Sequence, residues 1–135
     1  VTSTRVLHVD SVDEVAAIRA ARFARDAGVA VTSDIDSVTD RTLDLVRAVT
    51  IPIFAEHVPL ELTGECDPVA ALLRLRAYHS GVLCVTLGAG GAIALEGDRI
   101  HEAPGFPVEA VDTTGAGDAF RGGFMFGLLQ GWPVD

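Results

Sequence analysis

Short apolar runs alternate with longer amphipathic stretches along most of this chain. Arg5 to Asp10 (RVLHVD) reads as a buried strand, and Ser11 to Gly28 carries helical spacing through Val15, Ile18, Ala21, Phe23 and Ala27, with Gly28 placed to end it. Gly28 to Thr32 predicts the next strand, and Thr39 to Val49 a second helix with Leu43, Leu45, Val46 and Val49 on or near one face. Ile51-Pro52-Ile53-Phe54 predicts a third strand, whose Pro belongs at its beginning. A helix from about Asp67 to His79, with Pro68 in its first turn, leads through Gly81 into the apolar run Val82 to Thr86. The period then changes. Gly91 to Leu95 and Ile100 to Glu102 flank Glu96-Gly97-Asp98-Arg99 as the arms of a hairpin. Gly115 to Gly131 closes the chain as a helix carrying Gly122, Gly123 and Gly127, residues that lower helix propensity and suit close packing against a neighbour.

Strands alternating with helices predict right-handed βαβ units and a mainly parallel sheet covered on both faces, which is a three-layer α/β/α, Rossmann-like arrangement. A chain of 135 residues with 49% hydrophobic content holds enough apolar surface for one core, so a single domain over 1–135 is expected. The formal net charge of −9 disfavours a nucleic-acid binder, because phosphate contacts need a basic stripe. Arg19, Arg22 and Arg25 do cluster, but acidic residues flank them, and a solvated helix face is the expectation. Cys66 and Cys84 have neither CxxC spacing nor a companion His pair, so no zinc site or disulfide framework is indicated, and a reducing cytoplasmic setting fits. No apolar run reaches the roughly 18 residues needed to cross a bilayer, so no membrane partner is expected. The chain begins at Val1 and stops at Trp132-Pro133-Val134-Asp135, where a new element would start, so both ends are expected to be cut.

The chemistry concentrates in Asp112-Thr113-Thr114-Gly115-Ala116-Gly117-Asp118-Ala119-Phe120. Two carboxylates bracket a Gly-rich turn that opens a helix, where free N–H groups and the helix dipole favour an anion. Asp118, in the first turn, would stand beside a phosphate held there and could accept a proton from an attacking hydroxyl. On spacing alone, a helix-terminal charge and a simple turn remain equally open readings. A second segment, Thr86-Leu87-Gly88-Ala89-Gly90-Gly91, ends a predicted strand, where ligands of open α/β sheets bind. As a dinucleotide fingerprint it fails, because Ile93 stands where the third glycine belongs and a strand follows; it also lacks the Gly-Lys-Ser/Thr of a P-loop. Taken alone it reads better as a simple turn.

Together the two segments resemble the ribokinase-like (PfkB-type) carbohydrate kinase family along nearly the whole chain. Asp112 to Phe120 is similar to that family's C-terminal signature, and Thr86-x-Gly88-x-x-Gly91 to its nucleotide-binding Thr-x-Gly-x-x-Gly segment. The resemblance implies a ribokinase-like fold and ATP-dependent phosphorylation of a hydroxyl on a sugar or nucleoside-like small molecule, with Mg2+ on the phosphates. It implies that Asp118 is the catalytic base, that the amides of Gly115, Ala116 and Gly117 form an anion hole, and that Thr86, Gly88 and Gly91 contact ATP. Asp112, through its carboxylate, and Thr114, through its carbonyl, would hold a monovalent cation such as K+.

Two departures from the family pattern stand out. Its Asn-x-x-Glu motif should fall at 55–58, where Ala55-Glu56-His57-Val58 stand, although some branches, the ketohexokinases among them, also deviate there. A member of that family has roughly twice this length, so the expected domain is an incomplete one, lacking an N-terminal sugar and lid portion and the last C-terminal helices. Such a piece would expose a sheet edge and uncovered faces, which predicts a sticky or homo-oligomeric species. A nucleotide-binding or regulatory module without turnover is the alternative, and a dinucleotide-dependent oxidoreductase a weaker third.

Overall fold

A computed structural model describes residues 3–134; Val1, Thr2 and Asp135, the ends of the expected domain, lie outside the described residues. The first apolar run forms β1 (Val6–Asp10), and the helical stretch after it forms α1 (Glu14–Asp26). This helix starts three residues later than the spacing implies, because Asp13 caps it, accepting from the Ala16 amide at 3.0 Å. Gly28 follows the C-cap in the left-handed region (φ 74°), with the Gly28 and Val29 amides closing back on Arg25 and Ala24 at 2.9 Å each. Ala17, Ile18, Ala21 and Ala24 face the core, while Val15 and Phe23 are exposed.

Next come β2 (Ala30–Ile35), α2 (Thr42–Ala48) and β3 (Ile51–Ala55). Helix α2 is shorter than expected at its start because Thr39 and Thr42 turn their hydroxyls to the buried Glu14 carboxylate, which ties the N-terminal ends of α1 and α2 together. Pro52 pairs with Ser33 of β2 one residue before pairing with β4 begins at Ile53, so its missing N–H costs no ladder bond on that side. The segment 57–63 forms a helix, α3 (His57–Thr63), where the apolar spacing carries no helical signal. Pro59 falls in its first turn, where the N–H has no intrahelical partner anyway, and Gly64 ends it at φ 74°. After it α4 (Pro68–Leu75), capped by Asp67, leads to β4 (Leu83–Thr86), and a tight turn at Gly88–Gly90 leads to the hairpin of β5 (Ala92–Glu96) and β6 (Arg99–Ala103). The last helix is α5 (Ala116–Gln130).

The six strands lie in the order β1-β2-β3-β4-β5-β6, parallel through β4 and antiparallel from β4 to β6. Right-handed crossovers that advance in one direction place their helices on one side, so α1 to α4 cover a single face. Val31, Ile35, Phe54, Leu83, Val85 and Leu95 point into that core. The opposite face receives α5, whose Phe120, Phe124 and Leu128 pack on Ile51, Ile53, Cys84 and Ala94. The architecture is the expected three-layer α/β/α sandwich around a mainly parallel sheet. Of the α5 glycines expected at a close contact, only Gly127 has one, with Trp132; a Cβ at Gly122 or Gly123 would meet nothing.

Two arginines act as backbone ties. Arg25 donates to Arg47 O at 2.7 Å and Ala48 O at 3.2 Å at the end of α2, so it is not merely solvated as the charge cluster implied. Arg76 donates to the carbonyls of His79 and Gly81 and to those of Leu95 and Gly97, fastening the end of α4 to the hairpin. Beside it His79 is buried and donates from Nε2 to Thr50 O at 2.9 Å, a bond between segments distant in the chain. Burial lowers the proton affinity of His79, and His8 is lowered in the same way. A histidine with a folded pKa below its unfolded value of about 6.5 binds fewer protons folded than unfolded, so stability is lost as pH falls below that value. The melting temperature therefore drops between pH 7 and pH 5, and His79→Gln, which keeps a donor toward Thr50, shows a smaller drop over the same interval.

Candidate active site

Alternation along the strands divides the α5 side of the sheet into two halves. On β3 to β5 it carries Ile51, Ile53, Cys84 and Ala94; on β1 and β2 it carries His8, Asp10, Thr32 and Asp34, with Asp10 opposite Asp34 in the register. Helix α5 settles on the apolar half. Its N-terminus thereby comes to the border of the polar half, at the carboxyl ends of the parallel strands, where open α/β sheets bind ligands.

Gly115 caps α5 in the left-handed region (φ 78°), a conformation natural to glycine. The Ala116 amide donates to Thr113 O at 3.1 Å and the Ala119 amide to Gly115 O at 2.9 Å, leaving the Gly115, Gly117 and Asp118 amides without a partner among the described residues. Asp118 stands in the first turn with its side chain 85% exposed. Asp112 Oδ1 accepts from the Thr114 amide at 2.8 Å, and this bond holds the Asp112 carboxyl below the usual carboxylate range.

One residue at the centre of this arrangement has no counterpart in the sequence reading. Arg121 is a single turn along from Asp118 and its side chain is only 13% exposed. It donates from Nη1 to Asp118 Oδ1 at 3.1 Å and from Nη2 to Asp34 Oδ1, joining α5 to the end of β2. The i,i+3 spacing of Asp118 and Arg121 is the signal that could have found the first contact; nothing local announces the second. Desolvation raises the Asp34 carboxyl despite the pull of Arg121. His8 bonds through Nδ1 to Thr32 Oγ1 at 2.8 Å, and burial, then the nearby Arg121, lower its proton affinity. Asp36 accepts from Ser11 Oγ at 2.8 Å, a turn contact on the first-strand side.

The second glycine segment sits at the same edge of the sheet. Thr86 ends β4 and donates to Phe54 O at 3.3 Å, and the turn closes through Leu87 N to Gly91 O at 2.8 Å, with Gly88 at φ 54°. Strand β5 follows, as expected. Gly91 (φ 94°) is packed against the chain after β6: a Cβ there would lie 2.0 Å from Ala103 O. Gly105, which the sequence reading passed over, returns the contact, since a Cβ on it would come within 2.1 Å of Ala89 O.

Phosphate fits the free amides at the head of α5 and the open glycine turn. Oxygen donors at Asp112 and Thr114 suit an alkali cation in kind. Magnesium finds less. Ala55 ends β3, Glu56 and His57 are exposed at the head of α3, and Val58 is fully buried, so the 55–58 segment offers no ligand pair; no cluster of three or more His, Cys, Asp or Glu suited to a metal occurs among the described residues. No helix among the described residues is long and apolar enough to cross a membrane.

Residues 1–135 match the family model described as pfkB family carbohydrate kinase, and the chain belongs to that family. It is 32% identical over 114 residues to a ribokinase from Lactococcus lactis, covering 84% of this chain and 37% of the relative. Among solved structures, a PfkB protein from Polaromonas superposes with a TM-score of 0.84 at 28% identity over 98% of this chain and 49% of its own. The aminoimidazole riboside kinase of Salmonella enterica, solved with aminoimidazole riboside and an ATP analog, gives 0.79 at 28% over 91% of this chain and 47% of its own. The chain thus spans less than half the length of each. Its three-layer sandwich is the ribokinase-like fold.

The backbone packing at Gly105 yields a contrast between two alanine substitutions. Gly105→Ala has no room and should lower the urea midpoint by the equivalent of about 1–3 kcal/mol, whereas Gly122→Ala, in open space on a helix, should raise it by up to about 1 kcal/mol.

Proposed function

We propose that the protein carrying this chain is an ATP-dependent kinase, cytoplasmic, that phosphorylates a hydroxyl of a sugar or nucleoside-like small molecule. The observation that carries the reading is the placement of Asp118 in the first turn of α5, directly after the left-handed Gly115 and beside unpartnered amides, at the sheet edge that also holds the glycine turn. In this reading Asp118 takes the proton from the acceptor hydroxyl as its oxygen bonds to the γ-phosphorus and the bond to the ADP oxygen breaks. The amides of Gly115, Ala116 and Gly117 hold the charge on the transferring group, the Ala116 amide sharing its proton with Thr113 O or releasing it. Thr86, Gly88 and Gly91 line the nucleotide, and Asp112 with Thr114 holds K+. Because the 55–58 segment lacks a ligand pair, any Mg2+ on the phosphates would be held by the nucleotide and water.

The buried Val58, standing where the family places an acid, favours a second reading: a nucleotide-binding module of the same fold without turnover. The two readings separate in the full-length protein carrying this sequence. Under the kinase reading, acceptor-dependent ADP release is measurable across a panel of sugars and nucleosides, and Asp118→Asn lowers kcat by about 10²- to 10⁴-fold while ATP binding by calorimetry persists. ATP binding with no turnover on any acceptor supports the second reading; full activity of Asp118→Asn removes Asp118 as the base.

A further inference from the structure

We propose that Arg121 is a positioning residue that fixes the Asp118 carboxylate for proton transfer by tethering it, through its own guanidinium, to Asp34 at the end of β2. The inference rests on the reading of Asp118 as the base. Asp118 is almost fully exposed and carries two free side-chain torsions, so on its own it would sample several rotamers. Arg121 removes that freedom from one side: Nη1 holds Oδ1 at 3.1 Å, and Oδ2 is left without a partner among the described residues, available to an acceptor hydroxyl.

The guanidinium can serve as a fixed reference because it is itself held. Its side chain is largely buried, its Nη2 binds Asp34, and Asp34 belongs to a strand paired on both sides. The planar fork of an arginine presents two donors at a set angle, which a lysine ammonium cannot reproduce. Room for the fork exists because residue 117 is glycine, since a Cβ there would stand 2.8 Å from Nη1. Its Nε is buried and unpaired among the described residues, so the group is oriented by the two carboxylates rather than by saturation of its own donors. Asp34 touches no reacting atom in this scheme, yet removing its charge should be felt at Asp118, because Arg121 binds both carboxylates.

The test uses steady-state kinetics of the full-length protein with Arg121→Ala, Arg121→Lys, Asp34→Asn and the double variant Arg121→Ala/Asp34→Asn, beside Asp118→Asn. Arg121→Ala should lower kcat by about 10²-fold, the scale of a misplaced catalytic group, with KM for ATP and acceptor changed less than about twofold. Arg121→Lys should restore melting temperature but not kcat. Asp34→Asn should lower kcat in the same direction, and the double variant should be no worse than Arg121→Ala, since both act through one link. Retained kcat in Arg121→Ala and Asp34→Asn beside an inactive Asp118→Asn overturns the proposal alone, as does full rescue by lysine or a multiplicative double loss. If Arg121→Ala fails to fold, Asp34→Asn and Arg121→Lys carry the same test. Full activity in Asp118→Asn, or no turnover by the wild-type protein, overturns it together with the base assignment.

Discussion

The alternation of side chains across one sheet decides where the chemistry can sit. Ile51, Ile53, Cys84 and Ala94 of β3, β4 and β5 present an apolar surface to the α5 side, and His8, Thr32, Asp10 and Asp34 of β1 and β2 present imidazole, hydroxyl and carboxylates there. A helix with Phe120, Phe124 and Leu128 on one stripe has only the first half to bury against, and their partial burial there contributes a fraction of the about 1.5–3 kcal/mol that full burial of each would. The placement of α5 is therefore a packing result. Its functional consequence is that the helix head ends at the seam between the halves, where Arg121 can reach Asp34 and still hold Asp118.

Sequential strand order reinforces this arrangement. Four crossover helices crowd onto one face and leave the other to α5, so the helix that carries the phosphate-sized turn has no competitor beside the carboxyl ends of β2 and β4. Connections of the first kind are made by covalent geometry and hydrophobic contact. Others use guanidinium groups: Arg25 ties α1 to the end of α2 and Arg76 ties the end of α4 to the hairpin through carbonyls, and Arg121 ties α5 to β2 through a carboxylate. Each reaches at least one oxygen on an element other than its own.

That distinction explains how far the sequence could be read. Strand and helix order was legible because apolar spacing is local, and Gly115, Gly117, Asp112 and Asp118 were legible because a turn, a cap and a helix head are neighbours along the chain. Helix α3 escaped because seven residues with a Pro in the first turn show too little periodicity to register. Arg121 escaped because half of its meaning lies 87 positions away at Asp34, and a count of charges cannot tell an arginine that dissolves from one that ties. Gly122 and Gly123 misled in the opposite sense, having the composition of a tight contact and none of its neighbours. The hydroxyls of Thr39 and Thr42 shortened α2 for the same reason, since their partner Glu14 belongs to another helix.

The meeting of Gly91 and Gly105 involves main chain on both sides, with Ala103 and Ala89 contributing carbonyls and no side chain intervening. Separation there is set by the radii of peptide atoms, which are the same whatever residues flank the glycines. The outer positions of both loops can therefore drift in sequence without altering the gap between the turn after β4 and the chain that leaves β6. Geometry of this kind is inherited through two absent methyl groups rather than through any group that is present.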